Sequence, residues 1–428
     1  MLELERSLVA HLGTNTTGRV RLCGWVAGVA AGVADQPGGA RVMLRDRTGT
    51  VPLLLCSGSV PRPEEAIEVI GTVAPDEADE ADGGRLAVRV EELVVHGAVL
   101  ADLPVGPESP LKQRLDWRFL DLRQPRNHLI FEVQTTAERA MRQFWAEHGF
   151  LELHSPKFRP NPNRTGRELF SVPYFDRQAY LVQSPQFYKQ MAMASGFERV
   201  FEIGPVFRAN PVATSRHDTE FTSVDVEMSW IDSDEDVMGF EERWLRYVIR
   251  AVQSDHGSEI ERVFGVAVTV PDLPFPRVPL EEARGIVGEQ PPGDLDAAGE
   301  RSLGQHVARN RGHDFVFVTD YPSMNRPFYH MRRQDGSTLT RGFDLLWKGM
   351  EVTTGSQREH RYDRLVAQAE EHGVPLEPIR YYLDCFRFGC PPHGGFGLGL
   401  TRMLMALLGQ DDVREVTFLH RGPDRLSP

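Results

Sequence analysis

Apolar and polar residues alternate without a break across residues 219–230. Thr222, Val224, Val226 and Met228 fall on one side, and Phe221, Ser223, Asp225 and Glu227 on the other. A period of two predicts a strand with one face in a core. The run 201–209 predicts a partner strand, and the polar loop between the two carries Arg208, Arg216 and His217. A hairpin that presents a ring, acids and arginines on one surface can hold a nucleotide, ring against base and guanidinium against phosphate. A solvated sheet face with ordinary charge fits the same pattern.

Patterns elsewhere divide the chain. Residues 18–100 hold five short β-rich runs, at 19–26, 40–44, 51–56, 66–73 and 85–95, separated by the turn signals 36–39 and 46–49 and the acidic run 76–84. Five short strands suit a small closed barrel of the OB-fold type over residues 1–103. A connector follows at 104–126, with Pro104, Pro107 and Pro110 and then Arg114, Arg118, Arg123 and Arg126. Those arginines fit phosphate contacts or pairing with acids. Residues 127–148 have helical spacing, with Asn127 as candidate N-cap and Gly149 as stop. A strand is expected up to Pro156, a long loop at 159–167, a strand at 180–183, and helices at 184–194 and 235–256. Residues 258–320 read as a peripheral α/β insertion. The sheet resumes with strands at 315–320, 327–331, 342–347 and 350–354. Helices follow at 361–372 and 376–387, then a glycine-rich strand running into a helix at 400–408. The fold class is α+β, a barrel followed by a larger domain, 127–428, on a mostly antiparallel sheet.

Composition narrows the function classes. A length of 428 residues exceeds one ordinary core. No apolar run is long enough to span a bilayer, so no membrane partner is expected. The opening residues MLELERSLVAHLG carry acids and no long apolar run, so no secretory signal is expected. Cys23, Cys56, Cys385 and Cys390 lack metal-binding spacing and read as reduced thiols of a cytoplasmic protein. A net charge of −13 excludes a broadly basic nucleic-acid coat but leaves room for a local patch.

Two constellations could carry chemistry. If Lys348-Gly349 is a two-residue turn, Leu346 faces Glu351 and Asp344 is its diagonal neighbour. Two acids on one face with Cα atoms about 7–8 Å apart can bring their carboxylates onto one Mg²⁺ that also binds phosphate; two exposed acids are the plain alternative. Glycines 394–399 let a flat group or another backbone approach closely, and Arg402 follows them. The pattern is not GxGxxG in a βαβ unit, which excludes a dinucleotide fold. Lys189 and Arg358 read as surface residues on local pattern alone.

Taken together, QSPQFYKQ at 183–190, GPVFRA with RHxxEF at 204–221, RPFY at 326–329, FDLLWKGMEVTTGSQREH at 343–360 and FRFGCPPHGGFGLGL at 386–400 resemble class II aminoacyl-tRNA synthetases. The resemblance is to aspartyl-tRNA synthetases of the compact archaeal and eukaryotic type, and covers nearly the whole chain. It implies an OB-fold that reads the tRNA anticodon, a catalytic domain, a cytoplasmic homodimer with the segment around Pro156 at its interface, and use of ATP, Mg²⁺ and L-aspartate. By the same resemblance Arg208 would bind the α-phosphate, Arg216 and His217 the terminal phosphates, and Phe221 and Arg402 the two faces of adenine. Asp344, Glu351 and Thr354 would hold the metal. Lys189 and Arg358, with Gln186, would clamp the side-chain carboxylate of aspartate, and Asp225 would face its amino group.

The sequence also departs from the family. Ala27, Arg41 and Pro52 stand where the family has anticodon contacts, an aromatic or His, a Phe and a Gln. Arg164 stands where the lid loop has a Glu for the α-amino group, Asn210 follows the FRA motif in place of an acid, and Thr401 replaces the acid before Arg402. The chain therefore reads as a diverged paralogue. Three readings follow: an aspartate–tRNA ligase with altered tRNA choice, a ligase passing aspartate or another dicarboxylate to a different acceptor, and a nucleotide-binding relative without activity. The intact Arg208, Arg402, Asp344 and Glu351 argue against the last.

Overall fold

The computed structural model describes residues 4–13, 18–33, 36–76, 86–160, 169–288, 290–291 and 293–428. The chain forms two compact units, Met1–Ser109 with Leu120–His128, and Pro110–Phe119 with Leu129–Pro428.

The first unit is a closed five-stranded barrel. Its strands are β1 (Arg19–Val33), β2 (Gln36–Asp46), β3 (Gly49–Leu55), β4 (Ala66–Pro75) and β5 (Leu86–Gly97), in the order β1-β2-β3-β5-β4. Period-two alternation fills the interior with Leu22, Val26, Val42, Leu44, Leu53, Ile67, Val69 and Val88. Strands β1 and β2 continue into the stretch 36–39 expected to be a turn. Backbone pairing from Ala31 opposite Ala40 to Val33 opposite Gln36 extends the ladder, since Gly and Pro near a strand end cost little there.

The second unit is built on an eight-stranded sheet. Its strands in chain order are β6 (Leu151–Glu152), β10 (Arg199–Phe207), β11 (Glu220–Ser229), β12 (Arg277–Pro279), β13 (Phe315–Thr319), β14 (Gly342–Trp347), β15 (Met350–Gln357) and β16 (His393–Gly399). Their spatial order is β12-β13-β14-β15-β16-β11-β10-β6. Only the two outer pairs, β12 with β13 and β10 with β6, are parallel. A small sheet of β7 (Phe158–Arg159), β8 (Ser171–Tyr174) and β9 (Arg177–Leu181) completes the strands. One face of the large sheet packs on the helices Pro125–Glu147, Asp234–Phe264 and Leu400–Leu408. Trp145 and Trp244 stack there, ring centroids 5.1 Å apart, and Val224, Val226 and Phe396 fill the layer between. The opposite face is left for polar side chains.

Several expectations need correction. Asn127 is not an N-cap: the helix starts at Pro125, and the Asn127 amide donates to the carbonyl of Asp121 at 2.9 Å. The helix expected at 235–256 runs from Asp234 to Phe264, closed by a Ser233 capping box and by Gly265 in the left-handed region. Residues 258–320 are not wholly peripheral: besides the strand expected at 315–320, β12 also belongs to the main sheet. The run 327–331 forms turns and an isolated bridge from His330 to Arg358 in place of a strand. The helix expected at 376–387 breaks into Glu377–Ile379, Arg380–Leu383 and Asp384–Phe388, the first and last being 3₁₀ turns. Arg164 lies outside the described residues.

The connector arginines contact protein groups. Arg114 pairs with Glu415, Nη1 to Oε2 at 3.0 Å. Arg118 is buried and donates to the carbonyls of Glu415 and Thr417 at 2.8 and 2.9 Å, where the helix Val413–Val416 ends. Arg123 pairs with Glu64 at 3.1 Å and lies over the Trp25 ring.

Candidate active site

Alternation in β11 turns Phe221, Asp225 and Glu227 away from the helical layer, as the pattern predicts. Antiparallel pairing sets Asp225 opposite Gly397 and Glu227 opposite Gly395. Gly395 is a steric requirement, whereas a Cβ at Gly397 would stand 3.1 Å from Asp225 Oδ1. A Cβ at Gly395 would stand 2.0 Å from the Val226 carbonyl and 2.5 Å from Glu227 Oε2. With only glycine, Gly395 and Gly397, opposite Glu227 and Asp225 on β16, groups from neighbouring elements converge over β11.

The helix Gln186–Ala194 delivers Lys189 to this place. Its ammonium is buried and lies 3.0 Å from Asp225 Oδ1 and 3.2 Å from Glu227 Oε2, and it donates to the carbonyls of Phe396 and Val226 at 3.0 and 3.2 Å. Arg358, just past β15, reaches the same acid: Nε to Glu227 Oε1 is 2.9 Å, Nη1 donates to Ser356 Oγ at 2.6 Å, and Nη2 to the Gly395 carbonyl at 2.8 Å. So two residues with surface-like local pattern are among the most buried charges of the chain. Burial alone would raise the pKa of Glu227, but Arg358 and then Lys189 outweigh it and hold the carboxyl below its ordinary range. Ser223 donates to Asp225 Oδ2 at 2.6 Å, and Gln186 donates to Gln190 at 3.0 Å in the same wall. The result is a pocket floor of two cations interleaved with two anions.

A second cluster lies along β14, β15 and the loop after β10. The Arg208 guanidinium sits 5.1 Å over the Phe221 ring. Arg402, in the first turn of its helix, donates from Nη1 to the Glu351 carbonyl at 3.1 Å; its Nη2 is 3.1 Å from His217 Nε2 and its Nη1 3.5 Å from Glu351 Oε2. Arg216 Nη1 donates to Glu300 at 2.8 Å. The Lys348-Gly349 turn forms with Leu346 opposite Glu351 as expected, and a bulge at Val352 then sets Asp344 directly opposite Thr354. Thr354 donates to Glu351 Oε1 at 2.9 Å. Burial pushes the Asp344 carboxyl up even though Arg326 pulls it down, whereas for Glu351 the Arg402 charge and the Thr354 hydroxyl outweigh burial and hold it low. Asn210 gives its backbone N–H to the Arg208 carbonyl at 2.8 Å, and Thr401 stands in the first turn of the Arg402 helix.

Sequence reasoning missed three residues here. Arg326 forks onto both oxygens of Asp344, Nη1 to Oδ1 at 3.1 Å, and lies 3.5 Å over the Tyr321 ring. It stood in the RPFY motif but carried no assigned role. Glu227 stood on the polar face without one. Glu300, from the segment read as peripheral, had no local signal at all.

In the barrel, the three departing positions give no exposed ring. Ala27 is exposed at a bulge between the Val26–Leu44 and Gly28–Met43 pairs. Arg41 is half-buried and forks onto Asp76, Nη1 to Oδ1 at 2.6 Å. Pro52 is buried opposite Met43.

Among known families, residues 110–421 match the one described as tRNA synthetases class II (D, K and N). The chain belongs to this family of class II aminoacyl-tRNA synthetases, and its reaction is the ATP-dependent activation of an amino acid and its transfer to tRNA. It is similar to the aspartate–tRNA(Asp/Asn) ligase of Methanopyrus kandleri, 42% identical over 430 residues with 96% of each chain covered. The aspartate–tRNA(Asp) ligase of Pyrococcus abyssi is 38% identical over 428 residues, again covering 96% of each. Among solved structures, asparaginyl-tRNA synthetase from Pyrococcus horikoshii complexed with asparaginyl-adenylate superposes with a TM-score of 0.87 at 31% identity, covering 96% of both chains. Aspartyl-tRNA synthetase from Entamoeba histolytica gives 0.86 at 26%, covering 99% of this chain and 93% of the other. No helix among the described residues is long and apolar enough to cross a membrane.

Proposed function

We propose that the amino acid is L-aspartate and that the chain is an aspartate–tRNA ligase. The observation that carries this reading is the buried alternation of Lys189 and Arg358 with Asp225 and Glu227. An aspartate zwitterion can enter it by partner exchange. Its ammonium takes Asp225, and its β-carboxylate takes the cations thereby released. Asparagine offers a neutral amide in place of the second carboxylate, so two buried cations would lose one partner, a mismatch costing about 1–3 kcal/mol or more.

Arg208, 5.1 Å over the Phe221 ring, supports a nucleotide seat with adenine between Phe221 and Arg402 and the α-phosphate at Arg208. Arg216 and His217 are the candidate contacts to the terminal phosphates. The aspartate α-carboxylate attacks the α-phosphorus, pyrophosphate leaves, and aspartyl-adenylate forms. A terminal ribose hydroxyl of tRNA then attacks the acyl carbon, and AMP leaves with the bonding electron pair. Arg208 offsets the charge that develops on the α-phosphoryl group.

The oxygen donors of Glu351 and Thr354 suit a hard cation, and those two residues, with Asp344 if Arg326 yields it, would hold Mg²⁺. When bound, such an ion supplies neutralisation of phosphate charge. A homodimer through the Pro156 segment and a cytoplasmic location complete the proposal. The ringless barrel positions Ala27, Arg41 and Pro52 support weak dependence on the anticodon. The test is amino-acid-dependent ATP–pyrophosphate exchange with aspartate and asparagine, run beside charging of tRNA transcripts with native and altered anticodons. Exchange with aspartate, none with asparagine, and charging that changes little with the anticodon are expected. Preference for asparagine would overturn the amino-acid assignment, and charging that collapses on anticodon change would overturn the tRNA assignment.

A further inference from the structure

Glu300 lies between two residues assigned to ATP chemistry and belongs to neither set. It is carried by the helix Ala297–Arg311, whose N-cap Asp296 accepts from Ala298 N and Gly299 N at 2.9 and 2.7 Å. This helix docks backbone to backbone on the β14–β15 turn. A Cβ at Gly349 would stand 2.7 Å from Arg301 Cα, and one at Gly304 only 2.5 Å from Gly349 N. Gly349 also has a φ of 74°, so the turn needs glycine on both counts. The docking fixes the carboxylate. Glu300 Oε2 accepts from Arg216 Nη1 at 2.8 Å and from the Glu351 backbone N–H at 3.3 Å. Both side chains of the ion pair are largely buried, 20% exposed for Arg216 and 13% for Glu300, so the pair is not a loose surface contact.

Arg216 lies on the long loop between β10 and β11, and an arginine there has many rotamers to lose on meeting a phosphate. Guanidinium has five donors in a rigid fork, and Glu300 uses only Nη1. We propose that Glu300 is a positioning residue for nucleotide binding. It holds Arg216 by one nitrogen and leaves the other donors for the β- and γ-phosphates. The proposal rests on the assignment of Arg216 to those phosphates.

The experiment compares wild type with Glu300→Ala, Glu300→Gln, Arg216→Ala and the double variant Arg216→Ala/Glu300→Ala in aspartate-dependent exchange. Glu300→Ala should raise KM for ATP and KM for pyrophosphate together by about tenfold, the loss of one charge-assisted hydrogen bond, with kcat and KM for aspartate within roughly twofold. Glu300→Gln keeps an acceptor for Nη1 and should recover most of the loss. On the Arg216→Ala background, Glu300→Ala should add nothing. An unchanged or lowered KM for ATP in Glu300→Ala would overturn the proposal, the latter making Glu300 a competitor for Arg216. So would an equal loss on both backgrounds. ATP affinity of the same variants by calorimetry reads the same comparison without any amino acid. A chain that binds ATP in this pattern but activates no aspartate would sink the functional assignment and leave the role of Glu300 standing.

Discussion

Barrel and catalytic sheet use the same kinds of ion pair in opposite ways. On the barrel, Arg19–Glu91 and Arg21–Glu68 run across outer faces at 2.7 and 2.9 Å, with arginine side chains 50% and 36% exposed. Pairs of this kind contribute about 0–1 kcal/mol, because water serves each partner nearly as well. Over β11, the four charged side chains Lys189, Asp225, Glu227 and Arg358 are all 6% exposed or less. There each charge depends on the others, since water cannot replace a lost partner. The exposed barrel pairs can exchange residues at small cost, whereas the buried Arg41–Asp76 pair shares the constraint of the floor. The catalytic floor cannot change one residue without stranding another. The positions that depart from the family motifs, Ala27, Arg41 and Pro52 in the barrel and Arg164, Asn210 and Thr401 in the larger domain, all spare the four charges of this floor.

The sharpest way to break this contrast is Arg358→Leu. It leaves Glu227 buried beside a single cation, a loss of about 3–5 kcal/mol. Aspartate-dependent exchange should fall by roughly two to four orders of magnitude in kcat/KM, with a lowered unfolding midpoint. Activity within tenfold of wild type would mean the floor is not an interdependent set.

The next effect belongs to the core under the sheet. Glu241 lies on the helix Asp234–Phe264, fully buried, with no hydrogen-bond partner for either carboxylate oxygen among the described residues. Burial, reinforced by Glu242 and Asp344 against the hydroxyl of Thr353, pushes its pKa to about 8. The folded value thus lies above the unfolded value of about 4.3. The neutral form belongs to the folded state, so stability is lost as pH rises between those two values. Glu241→Gln should remove this loss, making the variant more stable than wild type at pH 8.5 by on the order of 3 kcal/mol, with little gain at pH 5. Denaturant midpoints at the two pH values decide it, and an equal change at both would sink the assignment.

Arg164 is the one departure within the catalytic half that puts a cation where the resembling family has an acid for the α-ammonium. Arg164→Glu should lower KM for aspartate by about tenfold, the scale of one charge-assisted contact, and leave KM for ATP unchanged. A rise in KM would show that Arg164 contributes to binding through another group of the substrate.

These contrasts also explain what could be read in advance. The β11 alternation and the Leu400–Leu408 helix were legible because one apolar face imposes a clear period. The turn at Lys348-Gly349 was legible because its residues select the backbone. Burial of Lys189 and Arg358 was not, since local pattern treats a charge as a surface residue and only tertiary pairing overrides it. Glu300 was beyond reach for a related reason. Its place in the site depends on the contact of Gly304 with Gly349, a long-range approach with no local period. Arg326 was visible as a motif member, but its fork onto Asp344 required the register of β14.

The smallest expected effect tests the barrel side. Arg41 holds Asp76, whose carboxylate is 1% exposed, so Arg41→Phe alone would strand an acid and confuse stability with recognition. Pairing it with Asp76→Asn removes the stranded charge and returns a ring to a position where the resembling family has one. Stacking contributes about 1–3 kcal/mol per base. At the low end of that range the double variant should charge tRNA about fivefold more efficiently and regain dependence on the anticodon sequence. Exchange without tRNA should not move, because the substitutions lie in the barrel unit and the charged floor lies in the other. If charging stays flat while the barrel remains folded, a ring at this position is not what the barrel lacks, and its departure reaches beyond Ala27, Arg41 and Pro52.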